Sequence, residues 1–128
     1  MSKAVLDASA LLVLINNEPG AEKLGPQVLG DASCSTVNLA EVQGKLVKQG
    51  VPADEAWKVT TGLIAEAAAF NLQHAKVAGT MISETSALGL SLGDRACLAL
   101  AISLKAPVYT ADRLWKNLKL GIKIHVIR

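Results

Sequence analysis

Two aspartates, Asp94 and Asp112, bracket most of the stretch SLGDRACLALAISLKAPVYTADRLW, residues 91–115, and what lies between them leaves little freedom of fold. Ala96, Leu98, Leu100, Ala101, Ile102 and Leu104 can cover the buried side of a helix predicted over 94–105. Ala106-Pro107 stops that helix, because proline disfavours the helical conformation of the residue before it. Val108, Tyr109 and Thr110 then read as a short strand that ends at Asp112. The helix carries the chain roughly 18 Å, at about 1.5 Å per residue. The run 107–112 returns about 20 Å, at roughly 3.3 Å per residue. Out by helix and back by strand, the two carboxylates are expected as neighbours.

The rest of the chain repeats that alternation. Ala4, Val5 and Leu6 predict a first strand, broken by Asp7-Ala-Ser9 and followed by a helix over 10–15. A second helix is predicted over 21–29 with Pro26 weakening its middle, then a strand over 31–35. Leu39, Val42, Leu46 and Val47 recur at helical spacing and predict a helix over 36–49, ended by Gly50. Pro52-Ala-Asp-Glu starts another helix, its early acids suited to the positive end of the dipole, running to about Glu66. An alanine-rich strand over 67–72, a helix over 73–85 and a loop over 87–93 follow. Leu114 to Leu118 reads as a helical turn and IKIHVI, 122–127, as a terminal strand. Strands alternating with helices imply a parallel sheet covered by helices on both faces, within one domain spanning 1–128.

Composition suits that architecture. With 51% hydrophobic and only 3% aromatic residues, the apolar mass is aliphatic, as helices packed on a sheet require. A net charge of +2 does not by itself argue for nucleic acid. Cys34 and Cys97 have no ligand-like spacing and read as buried free thiols of a reducing compartment. The apolar run 8–15 is short and preceded by Asp7, which does not suit a signal peptide, and no stretch approaches a membrane span. A cytoplasmic protein without membrane contact is expected.

In parallel sheets of this kind, ligands gather beyond the carboxyl ends of the strands. Asp7 and Asp112 lie just past strand ends, Glu41 lies in the helix after the second strand, and Asp94 opens a helix, so all four are expected at one edge. Carboxylates placed together repel and raise one another's pKa unless a cation neutralises them. An all-oxygen set suits Mg2+ or Mn2+, which keep waters and meet substrate phosphates. One metal could activate a water, and a second could steady the leaving oxygen of a phosphodiester. Ser9 and Thr110 add hydroxyls that could orient an acid or a water. Asp7, Asp94 and Asp112 also stand where helix N-caps would stand, and Asn38-x-x-Glu41 resembles a capping box. A set of caps and a metal site are both open readings.

LDAS at 6–9, the helical Glu41, LGDRACLALA at 92–101 and TADRLW at 110–115 resemble the PIN-domain ribonucleases, most closely the VapC toxins of toxin–antitoxin pairs. The resemblance covers essentially the whole chain in the right order. It implies a three-layer α/β/α fold around a parallel sheet of about five strands. It implies that Asp7, Glu41, Asp94 and Asp112 bind Mg2+ or Mn2+ and cleave RNA endonucleolytically, with Ser9 and Thr110 as supporting polar residues. Asn38 stands where similar proteins often carry Thr or Ser, and is counted with that supporting set. The implied partners are an RNA substrate, a VapB-like antitoxin whose tail blocks the acidic site, and a second copy in a homodimer.

Arg95, Arg113 and Lys116 flank the acids and are candidate contacts for RNA phosphates, with Lys45 and Lys48 beyond Glu41. A solvated charged face is the competing reading for all of them. His74 and His125 fall outside the motifs and read as structural, and Trp57 and Trp115 as core or interface. Two other functions compete: a catalytically silent PIN-like binding module, against which the complete quartet argues, and a receiver-like signalling domain. A receiver would carry adjacent acids after its first strand, where Asp7 stands alone.

Overall fold

Val5 and Leu6 are neighbours on one strand, both are fully buried, and they enter two different cores. Side chains alternate across a strand, so a strand buried at successive positions must be covered on both faces. In the computed structural model, which describes residues 3–128, that strand is the centre of the molecule. The first two residues of the expected 1–128 domain lie outside the described part.

The strands are β1 (Ala4–Leu6), β2 (Ala32–Ser35), β3 (Glu66–Ala68), β4 (Val108–Thr110) and β5 (Ile124–Val126). They form one sheet in the order β3-β2-β1-β4-β5, and every pairing is parallel. The helices are α1 (Ala8–Ile15), α2 (Pro26–Leu29), α3 (Thr36–Lys48), α4 (Ala53–Thr61), α5 (Leu72–Thr80), α6 (Ile82–Thr85) and α7 (Leu92–Leu104). Leu6, Ala32 and Cys34 pack with Leu11 and Val13 of α1, Leu39, Val42 and Leu46 of α3, and Ala56 of α4. Val5 and Val108 pack with Ala78 of α5, the buried stretch of α7 from Cys97 to Ala101, and Trp115. Each large aliphatic side chain so buried contributes roughly 1.5–3 kcal/mol. This is the expected three-layer α/β/α arrangement with a five-stranded parallel sheet. Its strand order differs from the 2-1-3-4-5 of receiver-like domains.

From β1 the chain moves one way along the sheet to β2 and β3, then crosses back to β4 and β5. The connections therefore diverge at the carboxyl ends of β1 and β4, the place where a parallel sheet opens a crevice.

Several boundaries differ from the sequence reading. The predicted 21–29 helix is two pieces, a 3-10 turn over Ala21–Lys23 and then α2. Pro26 does not weaken a helix but starts one, at the first position, where its missing N–H costs nothing. The helix expected to reach Glu66 ends at Thr61, with Gly62 closing it. The third strand stops at Ala68, because Asn71 accepts the His74 N–H and caps α5. The helix expected over 73–85 breaks at Met81 into α5 and α6. The last helix begins before Asp94: Ser91 is its N-cap, and Asp94 sits at the third helical position and closes a capping box. Lys105, with φ +52, ends it.

Candidate active site

Asp7 ends β1 and caps α1, so its backbone is fixed by the sheet on one side and a helix on the other. Its Oδ1 accepts the Ala10 N–H at 2.8 Å and the Ser9 hydroxyl at 2.7 Å. Its Oδ2 accepts the Thr110 hydroxyl at 2.6 Å. Thr110 ends β4, and β4 lies beside β1 with Tyr109 opposite Leu6, so sheet register alone brings the two side chains together. Ser9 Oγ accepts the Ala111 N–H at 2.9 Å and Thr110 Oγ1 accepts the Asp112 N–H at 3.1 Å. The two strand ends are thus laced by side chains.

Asp7 is only 3% exposed. Burial pushes its carboxyl up to about 6, against the pull of the bonds from Thr110, Ala10 and Ser9; the charge of Asp94 adds a smaller upward push. Beneath these acids, burial first and then the Asp7 and Glu41 charges push the Cys34 thiol up to about 12. Cys97, wholly buried, is raised further. Both cysteines are free, buried and protonated, as structural thiols.

Asp112 caps the 3-10 turn over Arg113–Asn117, its Oδ1 accepting the Leu114 N–H at 3.0 Å. Asp94 Oδ2 accepts the Ser91 N–H at 2.9 Å. Asn38 is no cap: it is buried inside α3, whose N-cap is Ser35. Its Nδ2 donates to Glu41 Oε1 at 2.9 Å and to the Gly93 carbonyl at 3.0 Å, tying α3 to the first turn of α7. A β-carbon at Gly93 would collide with the Glu41 carboxylate, so glycine there is what admits Glu41.

Asp7, Ser9, Glu41, Asp94 and Asp112 line one cleft of about 460 Å³, together with Ser91, Lys45 and Arg128. A carboxylate that bonds a backbone or amide N–H through one oxygen keeps the other, so capping and ligation are chemically compatible. Asp94 and Asp112 each give one oxygen to a backbone N–H, and Glu41 gives one to Asn38. Asp94 Oδ1, Asp112 Oδ2 and Glu41 Oε2 accept no hydrogen bond from the described residues. Each bond orients a carboxylate and leaves its other oxygen able to accept a further partner. Among the described residues no three His, Cys, Asp or Glu side chains close into a ready metal cage. The donors line an open cleft, which suits a hard cation that keeps waters and completes its shell from substrate. Asn38 Oδ1, buried without a partner, is a further oxygen beside Glu41.

The flanking cations do not all reach this cleft. Arg95, one residue round the helix from Asp94, turns to α5, where its Nη1 donates to the Ala78 carbonyl at 2.9 Å. Arg113 Nε donates to the Arg128 carbonyl, and Lys116 does not line the cleft. Lys45 does line it, and so does Arg128, which carries no motif signal. Lys48 does not. His74 is buried on α5, and His125 stacks on Tyr109 with ring centroids 4.6 Å apart. Trp115 is fully buried and Trp57 half-exposed. Among the described residues no helix is long and apolar enough to cross a membrane.

Residues 4–120 match the model of the PIN domain. No curated protein sequence matches the chain. Among solved structures, a DNA-bound VapBC complex from Salmonella typhimurium is 20% identical with a TM-score of 0.74, covering 97% of each chain. VapBC2 from Rickettsia felis, bound to a fragment of its promoter, is 18% identical at 0.71, over 94% of this chain and 96% of that one. VapC20 from Mycobacterium tuberculosis, a toxin that cleaves the sarcin-ricin loop, is 15% identical at 0.73, over 94% and 99%. At such identities the shared property is the fold.

Proposed function

The chain belongs to the PIN-domain family, and from that premise we propose that it is a metal-dependent endoribonuclease, the toxin of a VapBC-type toxin–antitoxin pair. The observation that carries this reading is the buried Asp7 carboxylate at the β1/β4 crevice, in one cleft with Asp94, Asp112 and Glu41. The reading gives these four carboxylates, gathered in one open cleft, a single purpose.

Asp7, Asp94, Asp112 and Glu41 would hold Mg2+ or Mn2+ through oxygen. Bound there, the metal would supply a lowered pKa for water and neutralise charge building on a phosphodiester. The protein's own part is positioning. Ser9, Thr110 and the Ala10 N–H fix both oxygens of Asp7. Asn38 holds Glu41 against Gly93, and the bonds from the Ser91 and Leu114 N–H groups set the carboxylate planes of Asp94 and Asp112. A site organised before substrate arrives loses little free energy to rearrangement during the reaction.

The same reading names the partners: cytoplasmic RNA, a VapB-like antitoxin and a second copy of the chain. VapBC complexes among the similar structures support the antitoxin. The purified protein should cut RNA with Mg2+ or Mn2+ and stop with chelator, and Asp94→Asn should abolish cutting with the fold intact. Cleavage that survives both chelator and Asp94→Asn would overturn the mechanism. Growth arrest on expression, relieved by a co-expressed antitoxin, tests the toxin role; an RNA-cleaving chain without effect on growth would count against it.

A further inference from the structure

Two cations line the acid cleft without belonging to the quartet, and one of them is delivered there by a built device. Lys45 lies one helical turn beyond Glu41 on the same face of α3. Among the described residues it makes no ion pair. Arg128 arrives from the end of β5. The Ile127 N–H donates to the Thr110 carbonyl at 2.9 Å, and the Ile127 side chain is buried against the α1 core. The Ile127 carbonyl rests on Gly20, whose φ of +106 and missing β-carbon let the two backbones pass. Arg113 Nε holds the Arg128 carbonyl at 3.2 Å. So fixed, Arg128 extends along the cleft wall, and its Nη1 meets Glu18 Oε1 at 3.2 Å.

That ion pair is a weak reason to hold an arginine there. Its side chains are 44% and 38% exposed, and exposed pairs contribute at most about 1 kcal/mol. A phosphate offers the guanidinium two parallel charge-assisted bonds in place of one. Glu18 is therefore displaceable, and the remaining donors of Arg128 make no hydrogen bond with the described residues.

We propose that Lys45 and Arg128 form the phosphate-binding rim of the cleft, gripping backbone phosphates of an RNA strand beside the acids. Glu18 and Arg113 are positioning residues: the first keeps the guanidinium extended until a phosphate displaces it, the second anchors its backbone. The proposal rests on the ribonuclease reading and deepens it. It also gives Arg113 a role one step removed from RNA.

The test titrates a short labelled single-stranded RNA with Asp94→Asn protein in Mg2+, by fluorescence anisotropy, over a range of salt. Arg128→Gln and Lys45→Gln should each weaken binding severalfold to tenfold and lower the slope of log K against log salt by about 0.7, the loss of one phosphate contact to a single strand. Arg128→Lys should keep the slope. Glu18→Gln should tighten binding severalfold, which a merely structural pair would not do. Unchanged slopes for both glutamine variants, while wild type cleaves RNA, would overturn this inference alone. Tighter binding failing to appear in Glu18→Gln would overturn the displaceable latch. If wild type neither binds nor cleaves RNA, the ribonuclease reading falls and takes the rim with it.

Discussion

The cleft has two walls built on different principles. The strand wall, Asp7, Ser9 and Asp112 backed by the buried Thr110, stands on β1 and β4, which pair directly; Asp7, Ser9 and Thr110 bond to one another, and Thr110 accepts the Asp112 N–H. The helix wall, Glu41 and Asp94, stands on α3 and α7, which belong to opposite layers and meet through Asn38 and Gly93. Asp7 is buried, whereas Glu41 is exposed and Asp94 partly so. Sheet pairing makes the first wall precise and lets it hold a desolvated charge. The second is an inter-helix contact, cheaper to build and dependent on one amide and one absent β-carbon. The first should answer substitution with changes in stability and titration, the second with changes in position.

The largest effect should come from Asp7→Asn. Asn keeps the shape and can still accept the Ala10 N–H, but removes a charge that burial disfavours. Activity should fall at least about ten-thousandfold, to the abolition expected of Asp94→Asn, as when one member of an acting unit is lost. Stability should move the other way. The carboxyl titrates near 3.8 when unfolded and at about 6 in the fold, so the folded chain holds the extra proton between those values. The stability contributed by Asp7 is therefore fully present below about pH 4 and is lost as pH rises through 6. In chelator above that range, Asp7→Asn should be more stable by up to about 3 kcal/mol, since each tenfold change in proton affinity is worth about 1.4 kcal/mol. Urea midpoints at pH 4 and pH 8 check this; a loss of stability at pH 8 as large as at pH 4 would refute the burial argument. Mg2+ should then raise the wild-type midpoint and not that of Asp7→Asn.

Thr110→Val keeps the branched shape a strand prefers and removes one donor. Its bond is the largest influence lowering the Asp7 pKa, so the pKa should rise further and the acidic limb of the rate profile should move to higher pH. Loss of such a supporting bond should cost about 10–100-fold in rate. The pH profile separates this from simple misfolding, which would lower the rate at every pH alike.

The strand wall was legible in the sequence because its residues sit at strand ends, where short apolar runs give way to Asp7 and Asp112, and parallel sheets put such ends at one edge. The helix wall was legible only in part. Asp94 reads as the start of α7 because aspartate is itself a good cap. The chain uses Ser91 for that and places Asp94 one turn inward, where its carboxylate closes the capping box and keeps one oxygen free. The basic residues were least legible. Adjacency to an aspartate suggested Arg95, yet one step round a helix is about 100°, and that sends the side chain to α5. Arg128 is brought there by the packing of Ile127 against Gly20, which no local pattern encodes.

The smallest effect, and the sharpest separation of the walls, should come from Gly93→Ala. Within a helix alanine is favoured over glycine by about 1 kcal/mol, so the backbone gains. The added methyl, however, lands on the Glu41 carboxylate, the mobile end of an exposed side chain. Glu41 must then swing away and give up its bond to Asn38, while Asp7, Thr110 and Ser9 are untouched. Activity should fall about tenfold, at the low end for a displaced supporting group, with the melting temperature unchanged or slightly raised and the pH profile where it was. A shift of the acidic limb in Gly93→Ala would mean that the walls are electrostatically one, since moving the Glu41 charge would then have retuned Asp7. An unshifted profile with reduced rate would mean that Glu41 acts through its position alone, and that the two walls can be altered independently.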